Sequence, residues 1–531
     1  MHEREDVGPV SNPLAGRTER TSLGMACYAA LMRARLRLGA IAHAARSGAR
    51  PALLVIVVLH AGVARAGTLD SLRTHALGFA VQQLAATVTE VGDSTRFPRS
   101  TLADGSWMTT DAHSWTSGFF PGCLWLLAEH TGDDLWVERA RSWTAGVEGE
   151  KDDTSTHDVG FKILCSFGNG YRLTGDTTYA DVVRRGAQSL ATRYSIVVGC
   201  TRSWNNYTFP VIIDNMMNLE ILLWGASHGG NPAWQDMAVS HGLRTRTEHV
   251  RPGGSTYHLV DFDPGTGAVL DRITVQGYSD ESTWARGQAW GLYGFTMAYR
   301  ETGDPRFLET AAALADWFIN HLPPDHVPYW DFDAPGIPAE EKDTSAAAIA
   351  CSGLLELSTL ATEAMARAQY FAAASDILAA LCSPGYLAEG TPSHGILLHG
   401  VGYHPANSEV DVSLIYGDYY FLEALLRYPR VASDVRPRAG EPSLLTAHPN
   451  PGRVSVEIRF ELPNATPVEL RVLDARGRVV RTVAAGCFGP GSQRVAWDGR
   501  RDDGRAAPSG TYFCELHSGA TSRVCKLTWL R

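Results

Sequence analysis

A Thr-Gly-Asp junction recurs three times in the chain, in "EHTGDDLW" (129–136), "RLTGDTTY" (172–179) and "RETGDPRF" (300–307). The glycine can adopt the left-handed conformation that ends one helix, and the aspartate can cap the next helix. In the third copy Pro305 lies just inside the new helix, where its missing N–H is not needed. "SHGGNPAW" (227–234) is a looser fourth copy. Repeated helix–turn–helix units of this kind predict a stacked or closed array of helices.

The apolar residues from about 75 to 428 recur with a period near 3.6, and few segments alternate as strands do. This pattern predicts twelve helices. They begin near Ala76, Ser117, Asp134, Asp158, Thr178, Asp214, Pro232, Ser282, Pro305, Ser345, Ala364 and Val412. Twelve helices make six pairs, which suits an all-α (α/α)6 barrel, a toroid of six inner and six outer helices. An open solenoid is the alternative.

Alternate helices share a second property, because polar and aromatic residues precede or open them. The segments are "HSWTSGF" (113–119), "THDVGF" (156–161), "VIIDNMMN" (211–218), "STWARGQAW" (282–290), "EKDTSAAA" (341–348) and "EVDVSLIYGDYY" (409–420). If these are the inner helices, their N-termini converge at one end of the toroid. That end then collects carboxylates, imidazoles, indoles and a guanidinium in one bowl.

Two aspartates stand out within this bowl. Asp214 lies inside the apolar run "FPVIIDNMMNLEILLWGAS" (209–227), although a carboxylate is costly to bury without partners. Asp158, in "STHDVGF" (155–161), raises the same question. Taken alone, each aspartate fits an N-cap stabilised by the helix dipole. On two successive inner helices, however, they form a candidate carboxylate pair. The dipole would keep one ionised while the apolar flank raises the pKa of the other, so that the pair divides acid and base roles.

Tryptophans and one arginine accompany the aspartates. Sugar rings pack on indoles through their C–H faces, so a bowl of tryptophans suggests a saccharide ligand, although the same residues could belong to the core. Arg286 is followed by Gly287, which would leave space for a ligand; an ion pair with Glu281 is the alternative. His157 and His258 are isolated histidines, which are more often structural than catalytic. The four tryptophans are Trp115, Trp204, Trp284 and Trp290.

Composition excludes several other functions. The net charge is −10 and the basic residues are scattered, so a nucleic-acid groove is not expected. The sequence has no G-x-S-x-G, P-loop or H-E-x-x-H segment and no cysteine pair with metal spacing, so no metal or organic cofactor is implied. Cys487, Cys514 and Cys525 cluster near the C-terminus, where they could form one disulfide.

The segments "WTSGFFPGCLW", "HDVGF", "YRLTGD", "VIIDNMMN", "ARGQAWGLYGF" and "YGDYYFLEAL" strongly resemble the unsaturated glucuronyl hydrolases, glycoside hydrolase family 88. The resemblance covers roughly 75–430 and keeps the order of the motifs. It implies an (α/α)6 barrel, in agreement with the helix count. The unsaturated rhamnogalacturonyl hydrolases of family 105 share that fold and both aspartates. Their arginine motif reads more like R-G-N-G-W, so "RGQAW" (286–290) favours family 88.

The resemblance also implies an activity. Asp214, in an I-D-x-x-x-N motif, resembles the general acid and base of the family, and Asp158, in H-D-x-G-F, resembles its essential partner. The substrates are unsaturated oligosaccharides left by polysaccharide lyases, whose terminal uronate carries a C4=C5 double bond that the enzyme hydrates. Arg286 and His258 are candidates to meet the substrate carboxylate or a neighbouring sulfate. The implied subsite comprises Trp115, His157, Trp204, His258, Gln276, Trp284, Arg286 and Trp290.

Two other classes of function compete with this prediction. A sugar 2-epimerase on the same barrel would use a pair of histidines on opposite faces of the sugar, and the paired aspartates count against it. A non-catalytic saccharide-binding protein would need the tryptophans but not both Asp158 and Asp214. Mutation of either aspartate would leave the function of such a protein intact.

The pattern changes after the Pro- and Arg-rich segment 424–443. The segments that follow alternate with period two between Gly and Pro turns, which predicts a small β-sandwich of about 85 residues. "AHPNPGRVSVEIRFEL", "WDGRRDDG" and "SGTYFCEL" resemble the FlgD-like immunoglobulin-type module of secreted bacterial proteins. We expect a module for export or surface attachment, with carbohydrate binding as the alternative.

The run "ARPALLVIVVLHAGVARAGT" (49–68) has the parts of a secretory signal. Arginines precede an apolar stretch too short to span a bilayer, and Ala64-Arg65-Ala66 forms an A-x-A cleavage site. Met25 or Met32 could be the initiator. We therefore expect a secreted, periplasmic or surface-attached bacterial protein with no membrane span after cleavage. The predicted divisions are 1–66 for the extension and signal peptide, 67–430 for the barrel, 431–444 for a linker and 445–531 for the sandwich.

Overall fold

The computed structural model describes residues 52–435 and 445–531, except 463–464, 475–476, 490 and 519–520. The predicted N-terminal extension up to residue 51 and linker residues 436–444 lie outside the described residues. The chain divides into two units, with the boundary between Asp70 and Ser71. No helix in the described part of the chain is long and apolar enough to cross a membrane.

The described helices make twelve passes, as the apolar period predicts. Eleven passes begin within three residues of the predicted positions, but the prediction that the first begins near Ala76 is wrong, because one continuous helix precedes and includes that residue. The helices are α1 Ala52–Val91, α2 Phe119–Thr131, α3 Asp134–Gly146, α4 Val159–Ile163 with a π turn (Leu164–Gly168) into α5 Asn169–Thr174, α6 Thr177–Ala191, α7 Asn215–Asn218, α8 Glu220–Ser227, α9 Ala233–Glu248, α10 Ala285–Thr302, α11 Pro305–His321, α12 Thr344–Leu360, α13 Ala364–Leu381 and α14 Ile415–Val435.

The Thr-Gly-Asp junctions behave as predicted. Gly132, Gly175 and Gly303 end their helices with φ of 66°, 68° and 69°, in the left-handed region. The following aspartates cap the next helices, since each side chain accepts a hydrogen bond from the backbone N–H two residues later. The repeated three-residue device thus reverses the chain between an inner and an outer helix.

The inner helices form a closed ring. Around it, α2 packs on the α4–α5 segment, α4 on α7, α7 and α8 on α10, α10 on α12, α12 on α14, and α14 again on α2. The outer helices α3, α6, α9, α11 and α13 pack against inner partners, and in α1 the Arg73 guanidinium donates to Leu425 O of α14 at 3.5 Å. Almost every residue of α12 is buried, as expected for a helix enclosed on all sides. The structure is therefore an (α/α)6 barrel and not an open solenoid.

Short hairpins precede several inner helices, and the sequence prediction missed them. Each strand has only two to five residues, too few for an alternating pattern to emerge. The sheet β5–β6–β7 matters most here, because β5 ends two residues before Asp214. The strands are β1 Phe97–Thr101, β2 Trp107–Thr110, β3 Tyr194–Ser195, β4 Cys200–Thr201, β5 Pro210–Ile212, β6 Leu259–Phe262, β7 Val269–Ile273, β8 Gly400–Tyr403 and β9 Ser408–Val412.

The C-terminal region is the predicted β-sandwich. One sheet has the order β10–β11–β14 and the other β13–β12–β15–β16, with all neighbours antiparallel. Side chains such as Phe460, Trp497 and Trp529 fill the core between the sheets. The strands are β10 Leu445–His448, β11 Val456–Leu462, β12 Thr466–Asp474, β13 Val479–Phe488, β14 Gly491–Trp497, β15 Gly510–Ser518 and β16 Thr521–Trp529.

Candidate active site

Asp214 lies at the turn from β5 into α7. The backbone before it is fixed by strand pairing with β6 and by a hydrogen bond from Ile213 N to His258 O of 3.0 Å. Its carboxylate does not cap α7, so the interpretation as a helix cap does not hold. The residue is only 8% exposed, and its buried Oδ2 has no hydrogen-bond partner among the described protein atoms.

The surroundings of Asp214 favour its protonated form. The pKa of its carboxyl is raised to about 7, chiefly by burial; the Arg286 guanidinium opposes this shift and the nearby Asp158 carboxylate adds to it. A carboxylic acid with this pKa holds its proton in part of the molecules near neutral pH. It can therefore act as an acid and, once ionised, as a base.

Asp158 occupies the start of α4, and its side chain does not cap that helix either. One carboxylate oxygen accepts a hydrogen bond from Thr156 Oγ1 at 2.7 Å, and the other lies 3.4 Å from His157 Nε2. His157 is buried, which lowers the pKa of its imidazole even though the Asp158 charge opposes that shift. Thr156 thus fixes the Asp158 side chain beside a buried imidazole.

Asn218 joins the two motifs that carry the aspartates. Its Oδ1 accepts a hydrogen bond from Phe161 N at 2.8 Å, and its Nδ2 lies 3.5 Å from His157 Nδ1. Gly160 allows this approach, because a Cβ there would lie 2.5 Å from Asn218 Oδ1. The asparagine of I-D-x-x-x-N and the glycine of H-D-x-G-F therefore lock α7 against α4 and fix the two carboxylates relative to each other.

A cavity of about 210 Å³ lies at the N-terminal ends of the inner helices. Seven of the ten predicted site residues line it, namely Trp115, His157, Asp158, Trp204, Asp214, Gln276 and Arg286. The sequence prediction did not include four other lining residues. Tyr403 lies in β8, and the other three lie within three residues of a predicted one in the sequence: Phe161, Ile212 and Val275. No motif marks Tyr403, since it reaches the cavity from a hairpin that the sequence pattern does not reveal.

The other three predicted residues, His258, Trp284 and Trp290, are buried and are not among the residues that line this cavity. His258 is buried, its Nδ1 accepts from Val275 N at 3.1 Å, and burial lowers the pKa of its imidazole to about 3. It is therefore neutral, and it packs against Trp284 with ring centroids 4.7 Å apart. Trp290 is fully buried and contacts Phe161. The Nε2 of His258 and the Nε1 of Trp290 are buried and have no hydrogen-bond partner among the described protein atoms.

Arg286 is held by the protein itself. It is 1% exposed, its Nη1 lies 3.0 Å from an Asp343 carboxylate oxygen and also donates to Val401 O, and its Nη2 donates to Gly402 O at 2.6 Å. The alternative of an ion pair is therefore correct, but the partner is Asp343 and not Glu281. Gly287 likewise leaves room for packing and not for a ligand, because a Cβ there would lie 2.7 Å from the Trp284 ring.

Outside the cavity lies an open cleft of about 730 Å³, lined by Trp204, Asn205, Asn206, Val275 and Tyr403. Trp204, Val275 and Tyr403 line both spaces, so the cleft opens directly from the cavity. The arrangement has an enclosed inner part that contains the carboxylates and an outer part with aromatic and amide side chains. Such a shape suits a saccharide whose terminal ring enters the cavity while the next ring lies in the cleft.

Within the described part of the chain, two groups of residues have the composition of a metal site, and in both the side chains already bind other protein groups. In the first, the Lys162 ammonium lies 2.7 Å from Glu150 and 3.0 Å from Asp153 and so occupies the place of a cation. In the second, both carboxylate oxygens of Glu340 already accept hydrogen bonds. The groups are His113, Glu150 and Asp153, and Glu340, Glu341 and His404.

The buried Asp214 should make stability depend on pH. A folded pKa of about 7 lies above the usual 3.8, so the native state binds more protons than the unfolded state between these values and loses stability as pH rises through them. The full cost above pH 7 is on the order of 4 kcal/mol. Asp214→Asn should therefore unfold at higher urea than wild type at pH 8, with a smaller difference at pH 4. A difference that is the same at both pH values would contradict the raised pKa.

Comparisons with known proteins agree with this geometry. The model of Glycosyl Hydrolase Family 88 matches residues 89–302, and that of the FlgD Ig-like domain matches 450–521. An unsaturated glucuronyl hydrolase of Formosa agariphila is 43% identical over 340 residues, covering 62% of this chain and 84% of the relative. One from a Bacillus species is 34% identical over 364 residues, covering 67% and 96%.

A solved structure is similar as well. The crystal structure of an unsaturated glucuronyl hydrolase specific for heparin superposes with a TM-score of 0.66 at 42% identity, covering 68% of this chain and 98% of that chain. The preference of "RGQAW" for family 88 is thereby confirmed. The chain belongs to glycoside hydrolase family 88, the unsaturated glucuronyl hydrolases.

Proposed function

We propose that this glycoside hydrolase removes the unsaturated uronate from the non-reducing end of lyase-generated oligosaccharides by hydrating its C4=C5 double bond. The observation that carries the proposal is Asp214, an almost fully buried carboxyl with one unpartnered oxygen and a pKa near 7 in the lining of a sugar-sized cavity. The reaction needs one group that first gives a proton and then takes one back, and Asp214 has the properties for both steps.

Asp214 both donates the proton and recovers one, so the reaction leaves it in its starting state. Protonated Asp214 donates its proton to C4, the π electrons form the new C4–H bond, and C5 becomes an oxocarbenium ion. Water adds to C5 while the Asp214 carboxylate removes the proton of that water, which restores the acid. The resulting hemiketal opens, and the next sugar leaves. The negative Asp158 raises the pKa of Asp214 and supports the positive charge that develops on the substrate.

The proposal predicts a loss of activity at alkaline pH. The free enzyme must hold a proton on Asp214, whose pKa is about 7, so kcat/KM should fall about tenfold per pH unit well above pH 7. Asp158→Asn removes a negative charge that raises this pKa, and it should move the decline to lower pH. Rates measured over a pH series with wild type and this variant test the assignment, and a decline that does not move would contradict it.

The activity itself is tested by ultraviolet absorbance. Purified protein is mixed with unsaturated disaccharides from heparin, chondroitin, gellan and xanthan lyases, and the C4=C5 chromophore is followed. Loss of absorbance on at least one of them supports the proposal, and the relative rates identify the preferred sugar. If none is bleached and an unsaturated rhamnogalacturonide is, the family 105-like alternative is correct. If no sugar reacts but one binds, the protein is a saccharide-binding protein.

We further propose that the protein is exported. The support is the secretory pattern of residues 49–68 with its Ala64-Arg65-Ala66 site, together with the FlgD Ig-like region, which we take as a module for export or surface attachment. Expression in a bacterial host followed by N-terminal sequencing of the extracytoplasmic fraction is the test. A new N-terminus at Gly67 is expected, and an uncleaved protein retained in the cytoplasm would contradict the proposal.

A further inference from the structure

The two cysteines of the last hairpin face each other across neighbouring strands. β15 and β16 pair in antiparallel register, and Cys514 is the direct partner of Cys525. Directly opposed residues have Cα atoms about 4.5–5.5 Å apart, inside the 4.4–6.8 Å range of disulfides. Both side chains lie on the same face of the sheet, where Cys514 belongs to the sandwich core and Cys525 packs against it.

The strand order decides which cysteines can pair. The sheet runs β13–β12–β15–β16, so Cys487 in β13 is separated from Cys514 by β12 and from Cys525 by two strands. Cys487 is also exposed and lies opposite Pro467. The sequence alone allows three pairings among these cysteines, and the strand order allows only Cys514 with Cys525.

The thiols of this pair are free in the structure and are hydrogen-bonded to each other. That hydrogen bond lowers the pKa of the Cys525 thiol and raises the pKa of the Cys514 thiol. Cys525 is also the less buried of the two. It is therefore the group that would react first with an external oxidant, since the exposed thiolate is the nucleophile.

We propose that Cys514 and Cys525 form a disulfide when the protein meets an oxidising disulfide, such as a thiol oxidase or oxidised glutathione. The Cys525 thiolate attacks the external S–S bond and releases one thiol, which leaves a mixed disulfide. The Cys514 thiolate then attacks the Cys525 sulfur and releases the second thiol. The protein loses two electrons and two protons, and the external disulfide is reduced to two thiols.

This bond would fasten the C-terminal edge of the sandwich. β16 is the last strand in the order of its sheet, and Asn450 and Gly452 hydrogen-bond to its outer side at Lys526 and Thr528. The disulfide would add a covalent tie to β15, its neighbour within the sheet. The closed loop is short, so the gain is mainly local resistance of β16 to opening. The site does not depend on the proposed catalytic function, because it lies in the FlgD Ig-like region.

The test equilibrates the full-length protein in glutathione buffers of increasing oxidised fraction, followed by alkylation and peptide mapping without reductant. The expected result is one crosslinked peptide pair containing Cys514 and Cys525, unchanged in Cys487→Ser and absent in Cys525→Ser. Thermolysin digestion of the oxidised protein should release the C-terminal strand several-fold more slowly than digestion of the reduced protein. Complete alkylation of both thiols in the most oxidising buffer, a glutathione adduct that stops at Cys525, or a crosslink through Cys487 would overturn the proposal.

Discussion

Asp214→Asn should lower kcat/KM on an unsaturated disaccharide by about 10³-fold or more, because asparagine can neither donate the proton to C4 nor take one from water. The amide has nearly the shape of the carboxylic acid, and Asp214 makes no cap that the change would break. Binding should therefore change much less than turnover. The comparison is a steady-state rate beside a calorimetric or fluorescence Kd for the same disaccharide.

Asp418 provides the matched control. Burial raises its pKa to about 7 as well, but both its oxygens accept backbone hydrogen bonds, from Ile396 N and Leu397 N at 3.0 and 2.9 Å. It does not line the cavity. Asp418→Asn should destabilise the protein yet retain its rate per folded molecule. If this variant loses the rate as Asp214→Asn does, or if Asp214→Asn keeps it, the catalytic assignment is contradicted.

Arg286→Met should cost about 3–5 kcal/mol of unfolding free energy, the usual effect of removing one partner from a buried ion pair. The substitution leaves the Asp343 carboxylate, which is completely buried, without its counter-charge. It also removes the guanidinium donors to the carbonyls of Val401 and Gly402, of which Gly402 keeps the hydrogen bond from Gln276 Nε2. The hairpin that carries Tyr403 then loses one of its anchors, while the ion pair of Arg99 with Glu409 remains. Urea unfolding at neutral pH measures the loss.

Two further variants show how much of this stability loss comes from the unpaired buried charge of Asp343. Arg286→Met combined with Asp343→Asn should recover part of the lost stability, because asparagine can still accept the hydrogen bonds from Ser345 that cap α12 but carries no buried charge. Arg246→Met, which breaks the exposed pair with Glu309, should cost no more than about 1 kcal/mol. No recovery in the double variant would mean that the guanidinium matters through the loop carbonyls and not through its charge.

The sequence was sufficient to predict the barrel, because the signals that end one helix and begin the next are local. Each Thr-Gly-Asp junction contains its own helix stop and its own cap, and these act whatever the rest of the chain does. The polar and aromatic segments that open alternate helices then distinguish inner from outer helices. The start of α1 was misplaced because no junction of this kind precedes Ala76.

The residues of the candidate site could be predicted where they belong to a sequence motif. They could not be predicted where contacts between distant parts of the chain determine the role of a side chain. The order of the motifs placed Asp158 and Asp214 on adjacent helices, and the cavity contains both. The sequence could not show that Arg286 spends its donors on Asp343 and on carbonyls 115 and 116 residues away. Nor could it show that His258 Nδ1 accepts backbone hydrogen bonds from Val275 and Gln276, because both facts depend on how loops meet.

The most direct test of the hydration mechanism is the product formed in D₂O. Wild-type enzyme is mixed with an unsaturated disaccharide that it cleaves, and the reaction is followed at early times by NMR and by ultraviolet absorbance in the same sample. Hydration through Asp214 predicts that deuterium appears at C4 at the rate at which the double bond disappears, with release of the second sugar at the same rate. Release of that sugar with the C4=C5 bond intact and no deuterium at C4 would show displacement at the anomeric carbon and would contradict the mechanism.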